Sequence, residues 1–170
     1  LIDFALSNMV NSEIVKVGLI TKSNYQSLMD HVGSGKDWDL ARHYGGLFIL
    51  PPFGVTENNS LYTTRFEALK NVVGFLNKSN EEFVVLSDSD MVCNIDFRPV
   101  VKAHGESHAD VTMIYVRKNK ADIAGTGHEK YLCIDDGGTV NDVTYDSDEA
   151  IVDLYTNVMV LSRTTLLNLI

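Results

Sequence analysis

Asp88 and Asp90 stand two residues apart where the apolar run Phe83-Val84-Val85-Leu86 gives way to Ser87-Asp88-Ser89-Asp90. A buried parallel strand reads as such a continuous apolar run, and in open α/β sheets ligands gather beyond the carboxyl ends of the strands. Carboxylates at a strand end supply the hard oxygen ligands that Mg²⁺ or Mn²⁺ requires when it sits on a nucleotide's phosphates. The competing reading is an ordinary strand-to-loop turn, for which Asp and Ser are suited by their short polar side chains.

Other chemistries find no support. There is no GxSxG elbow, HExxH pair, Walker loop or GxGxxG after a strand. Gly33-Ser34-Gly35-Lys36 looks like a phosphate cradle, but it follows a helical pattern instead of joining a strand to a helix N-terminus, so it reads as a loop. Cys93 and Cys133 lack the spacing of a disulfide framework or a zinc site, and their number fits a reducing cytoplasm. The five histidines never reach metal spacing together, and His104 and His108 are expected at a surface helix end. A net charge of −9 opposes binding to nucleic acid or to an anionic membrane, and no apolar run is long enough to span a bilayer.

The elements that must position the carboxylates alternate. Ile2 to Val10 carries apolar residues at helical spacing, and Val15 to Ile20 is a short strand. Asn24 to Val32 forms a second helix that Gly33 ends, and Leu47 to Leu50 a second strand stopped by Pro51-Pro52. Thr64 and Glu67 have the spacing of a capping box for a helix bearing Phe66, Leu69, Val73 and Leu76. The Asp90 strand follows, then a helix capped by Asp96 with Pro99 in its first turn, and a strand over Val111 to Val116. Tyr131 to Ile134 and Thr139 to Val143 flank Asp135-Asp136-Gly137-Gly138 as a hairpin excursion. A last strand, Thr156 to Leu161, leads into a helix capped by Ser162. Strands separated by helices imply a mostly parallel sheet covered on both faces, in one domain whose 170 residues suffice for a core.

An Asp-x-Asp at a strand end serves two enzyme classes: glycosyltransferases that hold a metal on a nucleotide diphosphate, and sugar nucleotidyltransferases that hold Mg²⁺ between a triphosphate and a sugar phosphate. The flanking sequence distinguishes them. Leu1 to Asn8, Asn11-Ser12, Val17 to Thr21, Ser27 to Leu40, Gly45 to Pro52 and Ser87 to Phe97 closely resemble the ADP-glucose pyrophosphorylase family, the glucose-1-phosphate adenylyltransferases of glycogen synthesis. They look most like its GlgD-type subunit, which accompanies a catalytic subunit in many bacteria.

The resemblance implies a Rossmann-like, GT-A-like nucleotidyltransferase domain over residues 1–170 that lacks the family's N-terminal Gly-rich loop and C-terminal β-helix. It implies ATP and glucose 1-phosphate as ligands, Mg²⁺ as cofactor, and a hetero-oligomer with a catalytic subunit in the cytoplasm. Asp90 matches the family's metal-binding Asp and is the expected catalytic and metal residue, with Asp88 the weaker metal candidate. Tyr62, Thr64 and Ser89 fall at substrate-facing positions. Several family features have changed: Thr64 replaces a Gly, no Lys or Pro occurs in Val143 to Glu149 where a sugar-phosphate Lys is expected, and Tyr155 replaces a small Ser. The implied role is a regulatory or weakly catalytic subunit; a competent sugar-phosphate nucleotidyltransferase and an Asp-x-Asp glycosyltransferase rank behind it.

Overall fold

The computed structural model describes residues 1–21, 24–51, 64–123, 125 and 127–170. The order is α1 (Ile2–Asn11), β1 (Lys16–Ile20), α2 (Tyr25–Val32), β2 (Gly46–Leu50), α3 (Arg65–Lys70), α4 (Val73–Asn77), β3 (Phe83–Leu86), α5 (Arg98–Ser107), β4 (Val111–Asn119), β5 (Tyr131–Ile134), β6 (Val140–Thr144), β7 (Ile151–Ser162) and α6 (Arg163–Leu169).

The sheet differs from the parallel one expected. Among the described residues only β1 and β2 pair in parallel, with Lys16 opposite Gly46 and Ile20 opposite Leu50. The larger sheet is antiparallel and built on β7, which pairs with β3, β4 and β5, while β6 extends it beyond β5. The reason lies in β7, 12 residues long where a 6-residue strand was expected; it is long enough to carry β3 along its second half and β5 near its first. Helix-strand alternation reports that crossovers exist, not which strand finally lies beside which.

Helices do cover both faces of the parallel pair. Val17 joins Leu6, Val32 and Leu40 in a core under α1 and α2. Gly18, Ile20 and Leu50 turn the other way, toward Phe75 and the core of Leu69, Val72, Leu76, Leu161 and Leu166. Gly18 is required there: a Cβ would come within 2.9 Å of the Phe75 ring and 3.0 Å of Leu50.

Local signals were accurate where the interactions are local. Thr64 Oγ1 accepts from the Glu67 N–H at 3.2 Å and Glu67 Oε2 accepts from the Thr64 N–H at 3.1 Å, the full capping box of α3. Ser162 Oγ accepts from the Thr165 N–H at 2.9 Å to cap α6. The expected single helix after Thr64 is two, because Asn71 and Val72 break it before α4 begins. Phe97, not Asp96, is the N-cap of α5, though Asp96 Oδ1 still accepts from the Arg98 N–H at 3.0 Å.

One polar cluster fixes the path of the chain beyond β3. Asn8, buried in α1, donates to the Cys93 carbonyl at 2.9 Å and accepts from the Ile95 N–H at 3.3 Å. Ser12 accepts from the Phe97 N–H at 2.8 Å and donates to the Asn8 carbonyl at 2.6 Å. The residues after Asp90 are thereby tied to the end of α1 by bonds largely shielded from water.

Candidate functional site

The carboxylates leave the sheet at the end of β3. Ser87 and Asp88 are half-buried, and Ser89 and Asp90 form an exposed turn. Asp90 makes no hydrogen bond or ion pair with any described residue, so its carboxylate is free to meet a ligand. Asp88 is committed elsewhere: its Oδ2 lies 2.6 Å from an Nη2 of Arg65. Arg65 is the first residue of α3, so the Thr64 capping box that starts the helix also aims this guanidinium at the strand end.

Opposite lies an irregularity in β7. Ile114 of β4 pairs with Val158 and Tyr115 with Tyr155, which leaves Thr156 and Asn157 as a bulge. Asn157 sits at φ 59, a left-handed conformation that Asn tolerates better than a β-branched residue. The bulge turns its backbone outward, so its carbonyl accepts from Arg65 at 2.9 Å and its Oδ1 from Lys130 Nζ at 3.2 Å. Thr156 Oγ1 donates to the Ile114 carbonyl at 2.7 Å and holds the bulge shut on its other side.

Tyr155 completes the site. Its side chain is buried at 7% exposure, and its hydroxyl finds no hydrogen-bond partner among the described residues. Burial pushes the phenol pKa above its ordinary value, with the Asp88 charge adding and the Arg65 charge opposing. Two cations and an orphaned hydroxyl thus crowd the end of β3, and one cation is already neutralised by Asp88.

Of the residues singled out from sequence, the structure brings Asp88, Ser89, Asp90 and Thr64 to this end of the sheet; Tyr62 lies outside the described residues. The Thr64 side chain is occupied by its helix cap. Arg65, Lys130 and Asn157 were not singled out. Only Asn157, a polar residue interrupting Tyr155 to Val160, carried a visible signal. His104 is corrected: it is buried, with Nδ1 2.8 Å from Thr112 Oγ1 and its ring edge-on to Phe83, while His108 is exposed at the end of α5. The position expected to hold a sugar-phosphate Lys is approached instead by Lys120, whose Nζ lies 2.9 Å from Asp146.

A divalent cation has partial support here. No group of three or more His, Cys, Asp or Glu residues is placed to hold a metal among the described residues. Asp88 is paired with a positive charge, which disfavours a second cation beside it. Asp90 fits as a single protein ligand, since Mg²⁺ is commonly bound by one or two carboxylates with phosphate oxygens and water completing its shell.

With strand end, capped helix and bulged strand arranged in this way, the family assignment rests on the sequence itself. A nucleotidyl transferase family model matches residues 1–142. The chain belongs to the nucleotidyl transferase family. It is 41% identical over 115 residues to the glycogen biosynthesis protein GlgD of Bacillus subtilis, a match covering 68% of this chain and 33% of that protein. It is 34% identical over 116 residues to the glucose-1-phosphate adenylyltransferase of Clostridium kluyveri, covering 68% of this chain and 30% of that one. This nucleotidyl transferase chain therefore spans about a third of the length of the curated relatives it matches. Among solved structures, HddC from Yersinia pseudotuberculosis superposes with a TM-score of 0.69 over 96% of this chain and 63% of that one, at 14% identity, which speaks for the fold. Nucleotidyltransferases of this kind generally use Mg²⁺. No helix among the described residues is long and apolar enough to cross a membrane.

Proposed function

We propose that this chain is the core of a glucose-1-phosphate adenylyltransferase subunit of glycogen biosynthesis, acting on a catalytic partner subunit more than by its own turnover. The family reaction is attack of the glucose 1-phosphate phosphate on the α-phosphorus of ATP, with pyrophosphate leaving. Such transfer depends on positioned charge around the phosphates. The observation that carries the regulatory reading is the Arg65–Asp88 pair at 2.6 Å beside the buried Tyr155 ring. A cation that would serve a phosphate is spent on a neighbouring carboxylate, and an aromatic ring stands where catalytic members place a small Ser.

Asp90 would hold Mg²⁺, which supplies charge neutralisation at the phosphates when bound; Thr64 and Ser89, with Tyr62, would border the nucleotide and sugar. The Asp-x-Asp glycosyltransferase reading weakens because Asp88 is held by Arg65. We place the protein in the cytoplasm, where ATP and sugar phosphates are made. The test mixes the full-length protein with its catalytic partner and follows pyrophosphate release and sedimentation. A complex with altered partner rate or effector response supports the regulatory role; no complex and no change in rate would remove its support. Asp90→Asn in the full-length protein separates the readings further, because a competent site would lose its own turnover and a regulatory one would leave the partner's rate unaltered.

A further inference from the structure

The two carboxylates at the end of β3 differ in one respect that their spacing hides. Asp90 has no ion-pair partner among the described residues, whereas Asp88 Oδ2 already has a cation 2.6 Å away, the guanidinium of Arg65.

That cation is fixed in place. Arg65 opens α3, and the capping box sets where its side chain begins. Its Nη2 also donates to the Asn157 carbonyl at 2.9 Å. A carbonyl in a regular ladder is spent on the neighbouring strand, but the register shift in β7 leaves this one for the guanidinium. Asn157 is held in turn: its Oδ1 accepts from Lys130 Nζ at 3.2 Å, and the Lys130 carbonyl accepts from the Tyr155 N–H at 2.8 Å. The buried Tyr155 phenol, its pKa raised chiefly by burial, also feels both charges, Arg65 lowering it and Asp88 raising it. The start of α3, the bulge of β7 and the residue before β5 thus converge to hold one guanidinium on one carboxylate.

This bears on which cations the strand end accepts. A divalent ion reaching Asp88 must displace Arg65 or share the carboxylate with it, and like charges a few ångströms apart repel strongly outside bulk water. The two cations are not equivalent in use. A bound Mg²⁺ keeps coordination positions for phosphate oxygens and water, whereas a guanidinium neutralises the carboxylate without offering any.

Taking the divalent cation of the proposed function as the ligand, we propose that Arg65 is the resident counter-ion of Asp88 and the residue that sets cation selectivity here. It keeps Asp88 from ligating a metal, so a divalent ion is held weakly and through Asp90 alone. Asn157 is the positioning residue that keeps the guanidinium on Asp88.

Mn²⁺ titrated into the full-length protein tests this, with the free ion counted by electron paramagnetic resonance. Ions held elsewhere on the acidic chain are subtracted with the matching Asp90→Asn variant. Arg65→Met should tighten Mn²⁺ binding by about tenfold or more, because it frees a second carboxylate. Adding Asp88→Asn to Arg65→Met should return the affinity to within about threefold of the parent. Unchanged affinity in Arg65→Met overturns the proposal, since the pair would then be structural only. So does a gain that survives Asp88→Asn, which would make Arg65 a general repulsive charge. Parent crystals soaked in Mn²⁺ decide the matter even if Arg65→Met does not fold. Arg65 remaining on Asp88, with or without an ion on Asp90, upholds the assignment; an anomalous peak against Asp88 with Arg65 displaced overturns it. No catalytic partner is present in either experiment, so failure to form a complex would weigh against the regulatory role and leave these results untouched.

Discussion

Arg65 Nη2 and Asp88 Oδ2 lie 2.6 Å apart, joining the start of α3 to the end of β3 across the carboxylates' turn. Both side chains keep contact with solvent, at 24% and 45% exposure. The pair's main consequence is therefore for ligand binding: it removes one carboxylate and one guanidinium from those available to a metal or phosphate.

Asp88→Asn is expected to cost about 1 kcal/mol or less in urea unfolding, the range of partly exposed pairs. The same substitution releases Arg65 toward anions. Pyrophosphate, titrated by calorimetry, should bind the variant more tightly than the parent; unchanged affinity would show that Arg65 is held by the Asn157 carbonyl alone.

Tyr155→Phe removes a buried hydroxyl that has no hydrogen-bond partner among the described residues, so it should leave stability unchanged or raise it by about 1 kcal/mol. The pH dependence has a definite sign. A phenol whose folded-state pKa is raised has its full contribution to stability below the ordinary tyrosine pKa of about 10, and loses it as pH rises from there through the folded value. Thermal melts between pH 8 and 11 should therefore fall less steeply in Tyr155→Phe than in the parent.

Asn157→Val places a β-branched residue at φ 59 and removes the Lys130 acceptor, and should cost about 1–3 kcal/mol. Asn157→Gly relieves the backbone while still deleting the acceptor. Its denaturation midpoint should lie much closer to the parent's, which apportions the bulge between conformation and hydrogen bonding.

Ser12→Ala strands the buried Phe97 N–H and loosens the segment beyond Asp90, which Asn8 still holds at Cys93 and Ile95, at about 1–3 kcal/mol. Two-dimensional NMR should show shifts at Cys93, Ile95 and Phe97 with little change at β6. Equal disturbance everywhere would argue against a local tether.

By itself the sequence determined the parts whose causes are local. The Thr64–Glu67 and Ser162 caps, the stop at Gly33, the hairpin around Asp135 and the apolar β3 ending in carboxylates all depend on neighbours a few residues away. Tertiary structure decided what depends on partners far along the chain. Arg65 meets Asn157 across 92 positions and Lys130 meets it across 27, because a two-residue bulge turns β7 outward there. The burial of His104 and of the Tyr155 hydroxyl, and the antiparallel order around β7, have the same origin. Periodicity states which face of an element is apolar; only packing chooses what that face and each strand's edges will meet.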